Sequence, residues 1–306
     1  MTEEFRSGFV TLVGRPNVGK STLLNQLVGS KVAIVSDRPQ TTRAAIRGVR
    51  SMPESQIVFV DTPGVHKPRT LLGERTNQRA LATLGEVDVA CVLIEANAPI
   101  GRGDQFIAEL AHQVETPKLL VVNKIDRAGK ASVAEHLVGA ARDLGDFDAY
   151  LPLSARTGDG VDDLVEEIEA RLPVGPRYYP EGTVTDQPEM FLAAELVREK
   201  LLAIARDELP HSITVSVEEM EDADEEAPTE REAPDPILRL QAVIHVERES
   251  QRGIVIGRRG QVLKDAGTAA RHELEALLGV PVYLETRVKV DPEWQRRPKS
   301  LDRLGF

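Results

Sequence analysis

Residues 8–21 of the 306-residue chain read GFVTLVGRPNVGKS. The apolar run 8–13 is rich in valine and predicts a strand, and the spacing of the leucines in 20–29 predicts a helix that ends at Gly29. Between them, residues 14–21 match the pattern G-x-x-x-x-G-K-S/T. The backbone N–H groups of such a loop, together with the helix N-terminus, can surround phosphate oxygens. The stretch therefore predicts a phosphate-binding loop at the start of an α/β domain.

The chemistry of this loop depends on its last residues. The Lys20 ammonium can reach the β- and γ-phosphates of a nucleotide, and the Ser21 hydroxyl is a hard oxygen ligand for Mg²⁺. We predict that the nucleotide contacts the loop and the first turn of the helix. The predicted contacts are Gly14, Arg15, Pro16, Asn17, Val18, Gly19, Lys20, Ser21 and Thr22.

Up to residue 172, strand-like apolar runs alternate with helical patterns. Strands are predicted at 44–50, 56–60, 88–94, 118–122 and 149–153, and helices at 74–85, 103–112, 131–144 and 160–171. Such alternation builds βαβ units, whose mostly parallel sheet is covered by helices on both faces. The predicted fold class is therefore α/β.

Three short motifs follow predicted strands, at the edge where open α/β sheets bind ligands. They are Asp61-Thr62-Pro63-Gly64, Asn123-Lys124-Ile125-Asp126 and Ser154-Ala155-Arg156. Asp61 is placed to hold Mg²⁺, and the Gly64 N–H can bind a γ-phosphate. Asp126 can accept hydrogen bonds from N1–H and N2–H₂ of guanine, a pattern that adenine lacks, and the Ala155 N–H could donate to guanine O6. Asn123 and Lys124 would support the loop and cover the base. In this order the motifs resemble those of the translation-factor-like GTPases, which implies GTP as substrate and GDP as product.

Residues 40–43, Gln-Thr-Thr-Arg, fall where such enzymes have a nucleotide-sensitive loop. A threonine hydroxyl there can complete the shell of a Mg²⁺ ion held by Ser21 and Asp61; we favour Thr42 and leave Thr41 open. Val65 follows Gly64, and we group it with the nucleotide contacts. Ras-like enzymes place a water-orienting glutamine there. Valine cannot orient water, so either hydrolysis is slow or another group supplies the polarity.

Asn17 is one candidate for that group. It resembles the asparagine by which some relatives hold K⁺ near the phosphates, although a local hydrogen bond within the loop is an equally good interpretation. The residues expected to act in hydrolysis are Lys20, Thr42, Gly64 and Asn17.

The remainder of the chain has a different organisation. Residues 173–188 are rich in proline and other turn formers and predict a linker. Helices are then predicted at 189–208, 250–256 and 261–278, and strands at 212–217, 238–247 and 281–290, in the order α-β-β-α-α-β. The net charge of −11 is uneven, because 218–236 carries −9 and 237–306 carries +4. The acidic segment 218–236 predicts an exposed or disordered loop, and the basic end permits a nucleic-acid-facing domain.

Gly257-Arg258-Arg259-Gly260 lies between the last two predicted helices. A G-x-x-G turn lets a nucleic-acid backbone approach closely, as in the KH loop that clamps about four nucleotides. The two arginines suit phosphate contacts. Ile254 could line a groove for unstacked bases, whereas for Ile256 we prefer a place in the core.

At this point the whole chain resembles the bacterial Era-type GTPases. The resemblance includes GRPNVGKS, QTTR, DTPG, NKID, SAR, the stretch 246–260 and VYLETRVKV at 282–290. It implies a P-loop NTPase G domain at 1–172 followed by an α+β type II KH domain at 189–306. It also implies binding to the 3′ end of 16S ribosomal RNA, a role in 30S assembly, and occasional peripheral membrane association. The acidic segment 218–236 is longer than this resemblance leads us to expect.

Composition limits the alternatives. The chain has one cysteine, Cys91, which excludes an intrachain disulfide, and it shows neither a secretory signal nor an apolar run of membrane-spanning length, so we expect a cytoplasmic protein. We also expect a monomer, although composition does not bear on the oligomeric state. A tRNA-modification GTPase would need folate-binding and helical domains that this sequence lacks. A signalling GTPase with a protein effector, in which residues 237–306 serve only as a scaffold, stays open.

Overall fold

The first half of the chain folds around a six-stranded sheet in the computed structural model, which describes residues 4–36, 41–64, 68, 70–204, 212–222 and 237–306. The strand order is β2-β3-β1-β4-β5-β6, and β2 alone is antiparallel to its neighbour, β3. This arrangement confirms the predicted mostly parallel sheet. The strands are β1 (Arg6–Gly14), β2 (Ile46–Ser51), β3 (Ser55–Asp61), β4 (Val89–Glu95), β5 (Lys118–Asn123) and β6 (Ala149–Pro152).

Five helices cover the two faces of this sheet. They are α1 (Lys20–Val28), α2 (Leu71–Leu84), α3 (Arg102–Ala111), α4 (Lys130–Leu144) and α5 (Val161–Glu169). Leu12, Phe59 and Leu119 in the central strands have no exposed surface, as expected for a sheet with both faces covered. The parallel strands β1, β3, β5 and β6 end at the same edge, so the loops that follow them are brought together there.

Most of the predicted linker, residues 173–186, belongs to the first compact unit and packs against it; we call this segment the strap. The first compact unit extends to Asp186, and the second runs from Gln187 to Gly305. Within the strap, Gly175 N–H donates to the Phe5 carbonyl at 3.0 Å, and the Val184 carbonyl accepts from Val49 N–H at 2.9 Å. The strap, which lies wholly within the described residues, contains no helix or strand, and its backbone instead finds partners on β1 and on the edge strand β2.

The strap is also held by a buried amide, that of Gln56 on β3. Gln56 has no exposed surface. Its Oε1 accepts from Tyr178 N–H at 2.8 Å and from Tyr179 N–H at 2.9 Å, and its Nε2 donates to the Tyr179 carbonyl at 2.9 Å. Nε2 also donates to Ser51 Oγ at 2.9 Å. All hydrogen-bonding positions of this amide are therefore used, which suits its burial.

The second unit has the predicted α-β-β-α-α-β order. Its elements are α6 (Glu189–Ile204), β7 (Thr214–Asp222), β8 (Leu238–Val246), α7 (Glu249–Ile256), α8 (Gln261–Leu278) and β9 (Val282–Val290). The sheet order is β7-β8-β9, with β7 antiparallel and β9 parallel to β8. Side chains of α6 and α8 pack against one face of this sheet. The predicted end of the first helix, 205–208, lies outside the described residues.

The chain end adds elements that the sequence did not predict. A 3₁₀ turn, Trp294–Arg296, is followed by a short helix, α9 (Pro298–Arg303). Trp294 is completely buried, and its indole N–H donates to the Ser212 carbonyl at 3.0 Å. Among the described residues, no helix is long and apolar enough to cross a membrane.

The acidic segment 218–236 does not begin as a loop. Residues 218–222 belong to β7, where Glu221 lies opposite Arg239 and Asp222 opposite Leu238 in the register with β8. Pairing with an apolar strand supplies the backbone hydrogen bonds of this stretch despite its charge, and Glu218 forms an ion pair with Arg287 on β9. The rest of the segment, 223–236, lies outside the described residues.

We expect Gln56→Ala to destabilise the first unit by about 2–4 kcal/mol, because the three hydrogen bonds between the completely buried Gln56 amide and the backbone of Tyr178 and Tyr179 are lost. Urea unfolding followed by circular dichroism measures the effect, and the transition that shifts with added GDP reports the first unit. Gln105→Ala, on the exposed side of α3, is the control and should change the free energy of unfolding by less than about 0.5 kcal/mol. Equal stability of the two variants would contradict this role of Gln56.

Candidate nucleotide-binding site

A cleft of about 270 Å³ lies at the carboxyl edge of the large sheet. It is lined by the loop before α1, by residues 34–36 and 41–42, and by the loops after β3, β5 and β6. Four residues that no sequence motif had indicated also line it, namely Ile34, Val35, Ser36 and Arg127. The other lining residues are Pro16, Asn17, Gly19, Lys20, Ser21, Thr22, Thr41, Thr42, Gly64, Asn123, Lys124, Asp126, Ala155 and Arg156.

The loop between β1 and α1 turns sharply around this cleft. Asn17 and Gly19 both have left-handed backbones, with φ of 68° and 99°. Position 19 must be glycine for a second reason, since a Cβ there would clash with the Asn123 side chain. Val18 is completely buried, so its side chain fixes the loop to the core of the unit. A turn of this kind directs backbone N–H groups inward, which is the geometry that binds an anion.

Lys20 provides a positive charge inside the loop. Its side chain is buried, and Nζ donates to the carbonyls of Gly14 and Arg15 at 3.2 and 3.1 Å. Burial lowers the pKa of Lys20, while the nearby Asp61 carboxylate acts in the opposite direction. The ammonium therefore sits among oxygen acceptors that phosphate oxygens could replace.

Three oxygen-bearing side chains meet beside this loop. Ser21 Oγ lies 2.8 Å from Thr42 Oγ1, and Asp61 Oδ2 accepts from Ser21 Oγ at 2.9 Å and from Thr42 Oγ1 at 3.2 Å. Thr41 Oγ1 instead donates to the Ser36 carbonyl at 3.4 Å. The structure therefore brings Thr42 into this cluster, while Thr41 lies at the cleft wall.

The same cluster has the properties of a cation site. Asp61 is completely buried and burial raises its pKa, although Lys20, Ser21 and Thr42 counteract this. Its Oδ1 is buried and has no hydrogen-bond partner among the described residues. A hard cation such as Mg²⁺ prefers carboxylate and hydroxyl oxygens, so Ser21, Thr42 and Asp61 fit it.

Of the residues that follow Asp61, Thr62 supports the sheet, whereas Pro63 and Gly64 lie at or beside the cleft. Thr62 is completely buried, and its hydroxyl donates to the Leu12 carbonyl at 3.0 Å, which holds β1 against β3. Gly64 lies against Pro16, where a Cβ would approach the Pro16 nitrogen to 2.8 Å. Pro63 lines a small neighbouring pocket with Thr42. Val65 lies outside the described residues.

Asn123 links the loops at the other end of the cleft. Its Nδ2 donates to the Val18 carbonyl at 2.8 Å, and its Oδ1 accepts from Lys124 N–H at 2.7 Å and Ala155 N–H at 2.9 Å. The Ala155 N–H, predicted to donate to guanine O6, is thus already engaged. The buried Asn123 oxygen needs donors, and Ala155 is one of the two that it has.

Asp126 lies in a 3₁₀ turn, Ile125–Arg127, directly after β5. One of its carboxylate oxygens, Oδ1, accepts from Ser154 Oγ at 2.8 Å, and the other lies 3.8 Å from Arg156 Nε. Ser154 is completely buried, so it fixes the carboxylate while Arg156 extends into solvent. The arrangement leaves a carboxylate at the cleft wall, where it can accept from a base with adjacent N–H donors.

Two acidic residues near this loop were missed by the sequence analysis. Glu95 Oε1 accepts from Lys124 Nζ at 2.6 Å, and Asp104 Oδ1 accepts from Arg15 Nε at 2.7 Å. Arg15 is thereby directed towards α3 rather than into the cleft. For Glu95 the signal available in the sequence was an acidic residue directly after the predicted strand 88–94, the same signal that identified Asp61; Asp104, inside a predicted helix, had no such signal.

In the second unit, the turn 257–260 stands between α7 and α8. Gly257, Arg259 and Gly260 all have positive φ, of 74°, 54° and 77°. Arg258 and Arg259 are exposed, and Ile254 has 55% of its surface accessible to solvent. Ile256, for which a core position was preferred, is only half-buried, and Val255 is the residue that enters the core.

Comparison with known proteins matches both halves of the chain. A family model described as a 50S ribosome-binding GTPase matches residues 9–124, and a model described as a KH domain matches residues 208–295. A GTPase Era from a Nocardioides species is 50% identical over 307 residues, covering 98% of this chain and 96% of that protein. A GTPase Era from Mycobacterium tuberculosis is 50% identical over 306 residues and covers 99% of both chains.

Two solved structures resemble the chain over nearly its full length. An Era variant from Aquifex aeolicus bound to GDP and AlF₄⁻ has a TM-score of 0.92 and 39% identity, covering 98% of this chain and 99% of that one. An Era bound to MgGDPNP and nucleotides 1506–1542 of 16S ribosomal RNA has a TM-score of 0.92, 40% identity and the same coverage.

We expect Asp126→Asn to weaken GTP binding by about 2–4 kcal/mol, because one acceptor becomes a donor that faces the guanine amino group. Xanthine carries a carbonyl at that position, so the same variant should bind xanthosine triphosphate more tightly than the parent does. Competition titrations against a fluorescent nucleotide measure both affinities. Asp163→Asn, an exposed carboxylate on α5, is the matched control. An unchanged preference for GTP in Asp126→Asn would show that another residue selects the base.

Proposed function

The chain belongs to the Era family of GTPases and hydrolyses GTP to GDP and phosphate, and we propose that, like the Era solved with nucleotides 1506–1542, it binds the 3′-terminal region of 16S ribosomal RNA and assists assembly of the 30S subunit. The observation that carries the proposal is the exposed turn 257–260 with its two arginines. It belongs to the part of the chain that matches a KH domain.

The shape of that turn supports contact with a nucleic-acid backbone. Gly257 and Gly260 leave its two ends without side chains, and Arg258 and Arg259 place two positive charges between them. Backbone phosphates can therefore approach closely and be neutralised. Ile254, one helical turn before Gly257, offers an exposed apolar surface on which an unstacked base can rest.

The chemistry of the first unit follows from its charges. We propose that Lys20 binds the β- and γ-phosphates and that the Gly64 N–H binds the γ-phosphate. The buried Lys20 ammonium among backbone carbonyls and the contact of Gly64 with Pro16 in the loop support this. Ser21, Thr42 and Asp61 would hold Mg²⁺, which supplies neutralisation of the charge on the phosphate oxygens. We propose that Asp126 selects guanine and that Lys124 covers the base.

Val65 stands where Ras-like enzymes have a water-orienting glutamine, so either hydrolysis is slow or another group supplies polarity near the phosphates. A second cation, K⁺, is a candidate for that group. Asn17 lies at the cleft with a left-handed backbone, and its side chain is exposed. A cation held there would lie near the phosphates and could take the place of an arginine finger. Arg15 is occupied by Asp104 and does not offer such a finger from within the loop. The cytoplasmic location, the monomeric state and the occasional membrane association stay predictions.

RNA binding should depend on the two arginines of the turn. Arg258→Glu/Arg259→Glu should weaken binding of an RNA containing nucleotides 1506–1542 of 16S ribosomal RNA by about 10- to 100-fold near 0.1 M salt. Because two phosphate contacts are lost, the slope of log affinity against log salt should fall by about two. Fluorescence anisotropy of labelled RNA, with protein saturated with a GTP analogue and Mg²⁺, measures both quantities.

The control for this experiment reverses the same number of charges elsewhere. Lys130→Glu/Arg142→Glu changes two exposed residues of α4 in the first unit and should bind the RNA as the parent does. If both double variants bind equally well, the turn is not the RNA-binding element, and a protein effector becomes the better interpretation of the second unit.

Hydrolysis should be faster in KCl than in NaCl at equal ionic strength if Asn17 holds K⁺. We expect the difference to disappear in Asn17→Gly, which keeps the left-handed backbone that alanine would strain. Steady-state phosphate release in the two salts measures the effect. Equal rates of the parent protein in both salts would leave Asn17 as a structural residue of the loop.

A further inference from the structure

One carboxylate outside the nucleotide-binding motifs is attached to the nucleotide cleft through a lysine. Glu95 is the last residue of β4, and its Oε1 accepts from Lys124 Nζ at 2.6 Å. The same ammonium donates to the Asn17 carbonyl at 2.6 Å. Lys124 therefore connects the end of β4 with the phosphate-binding loop, and it lines the cleft two residues before Asp126.

The ion pair between Lys124 and Glu95 is largely buried, so it is stronger than an exposed pair would be. Only 21% of the Lys124 side chain and 18% of the Glu95 side chain are exposed. Exposed ion pairs contribute little because two long side chains must be ordered in water. Here the position of the ammonium is already fixed by its second bond to Asn17, and short charge-assisted hydrogen bonds are the stronger kind.

The backbone around the pair is also constrained. Lys124 has φ of 68°, a left-handed conformation that costs free energy for a lysine. It is held there from two sides, by Asn123 Oδ1 at its N–H and by Glu95 at its ammonium. Without Glu95, the Lys124 ammonium could turn to solvent and its hydrogen bond to the Asn17 carbonyl would be lost.

We propose that Glu95 is a positioning residue for nucleotide retention. By holding Lys124, it keeps the base-binding loop and the phosphate-binding loop at a fixed distance, although it does not itself reach the nucleotide. This inference depends on the GTPase activity and is independent of RNA binding. Because the loops contact substrate and transition state alike, removal of Glu95 should act on binding and leave the chemical step nearly unaffected.

Release of a fluorescent GDP analogue tests the proposal in the full-length protein. Glu95→Ala should speed release by about 5- to 30-fold, the effect of losing one charged hydrogen bond. The single-turnover rate of hydrolysis of bound GTP should stay within about twofold of the parent, as expected for uniform binding. Glu95→Gln retains an acceptor on a side chain of the same length, so it should release GDP more slowly than Glu95→Ala but faster than the parent. Glu86→Ala, an exposed carboxylate before β4, is the control and should release GDP as the parent does.

A double-mutant cycle with Lys124→Met separates positioning from general destabilisation. If Glu95 acts through the lysine, Glu95→Ala should change GDP release by less than about twofold in the Lys124→Met background. If instead the two effects multiply, Glu95 does not act through Lys124 and the inference is wrong. The same conclusion follows if Glu95→Gln, which keeps the size of the side chain, releases GDP as fast as Glu95→Ala.

Discussion

The buried carboxamide of Asn123 holds together the loops on which the nucleotide cleft depends. Its nitrogen donates to the Val18 carbonyl, and its oxygen accepts from two N–H groups, those of Lys124 and Ala155. These partners lie after three different strands, β1, β5 and β6. The parallel sheet places the three strand ends side by side, but only a side chain with both donor and acceptor can join them. Because the group is almost completely buried, each of these hydrogen bonds costs free energy if it is lost.

The α/β architecture and its GTPase activity could be predicted because their signals are local. The alternation of strands and helices is visible in short periodic stretches of sequence. The spacing of the glycines, Lys20 and Ser21 in the 14–21 loop is visible in one continuous segment. The oxygen cluster is a stronger case, because Ser21, Thr42 and Asp61 are far apart in sequence. Ser21 lies in the first turn of a predicted helix, Thr42 precedes a predicted strand and Asp61 follows one. The structure places their oxygens within about 3 Å of one another at the same edge of the sheet.

The features that we did not predict depend on which of several residues, distant in sequence, a backbone group contacts in the fold. Nothing in the composition of 173–186 indicates that its backbone will bind Gln56 and Val49, since prolines and glycines are equally typical of a free linker. The engagement of Ala155 N–H by Asn123 is another such choice, between an internal acceptor and a ligand. The last helix, α9, is too short for periodicity to reveal it, and its place is explained by the burial of Trp294 just before it.

The strap has a consequence for how this chain can be divided into modules. β2 is an edge strand of the large sheet, and the strap's Val184 and Thr185 occupy hydrogen-bonding groups on its outer side. A fragment cut at residue 172, where the helical pattern ends, would leave that edge open to pair with another molecule. Such a piece would be prone to self-association although every nucleotide-binding motif is intact. In this protein the boundary between the two compact units therefore lies after Asp186, and a fragment that ends there keeps the sheet edge covered.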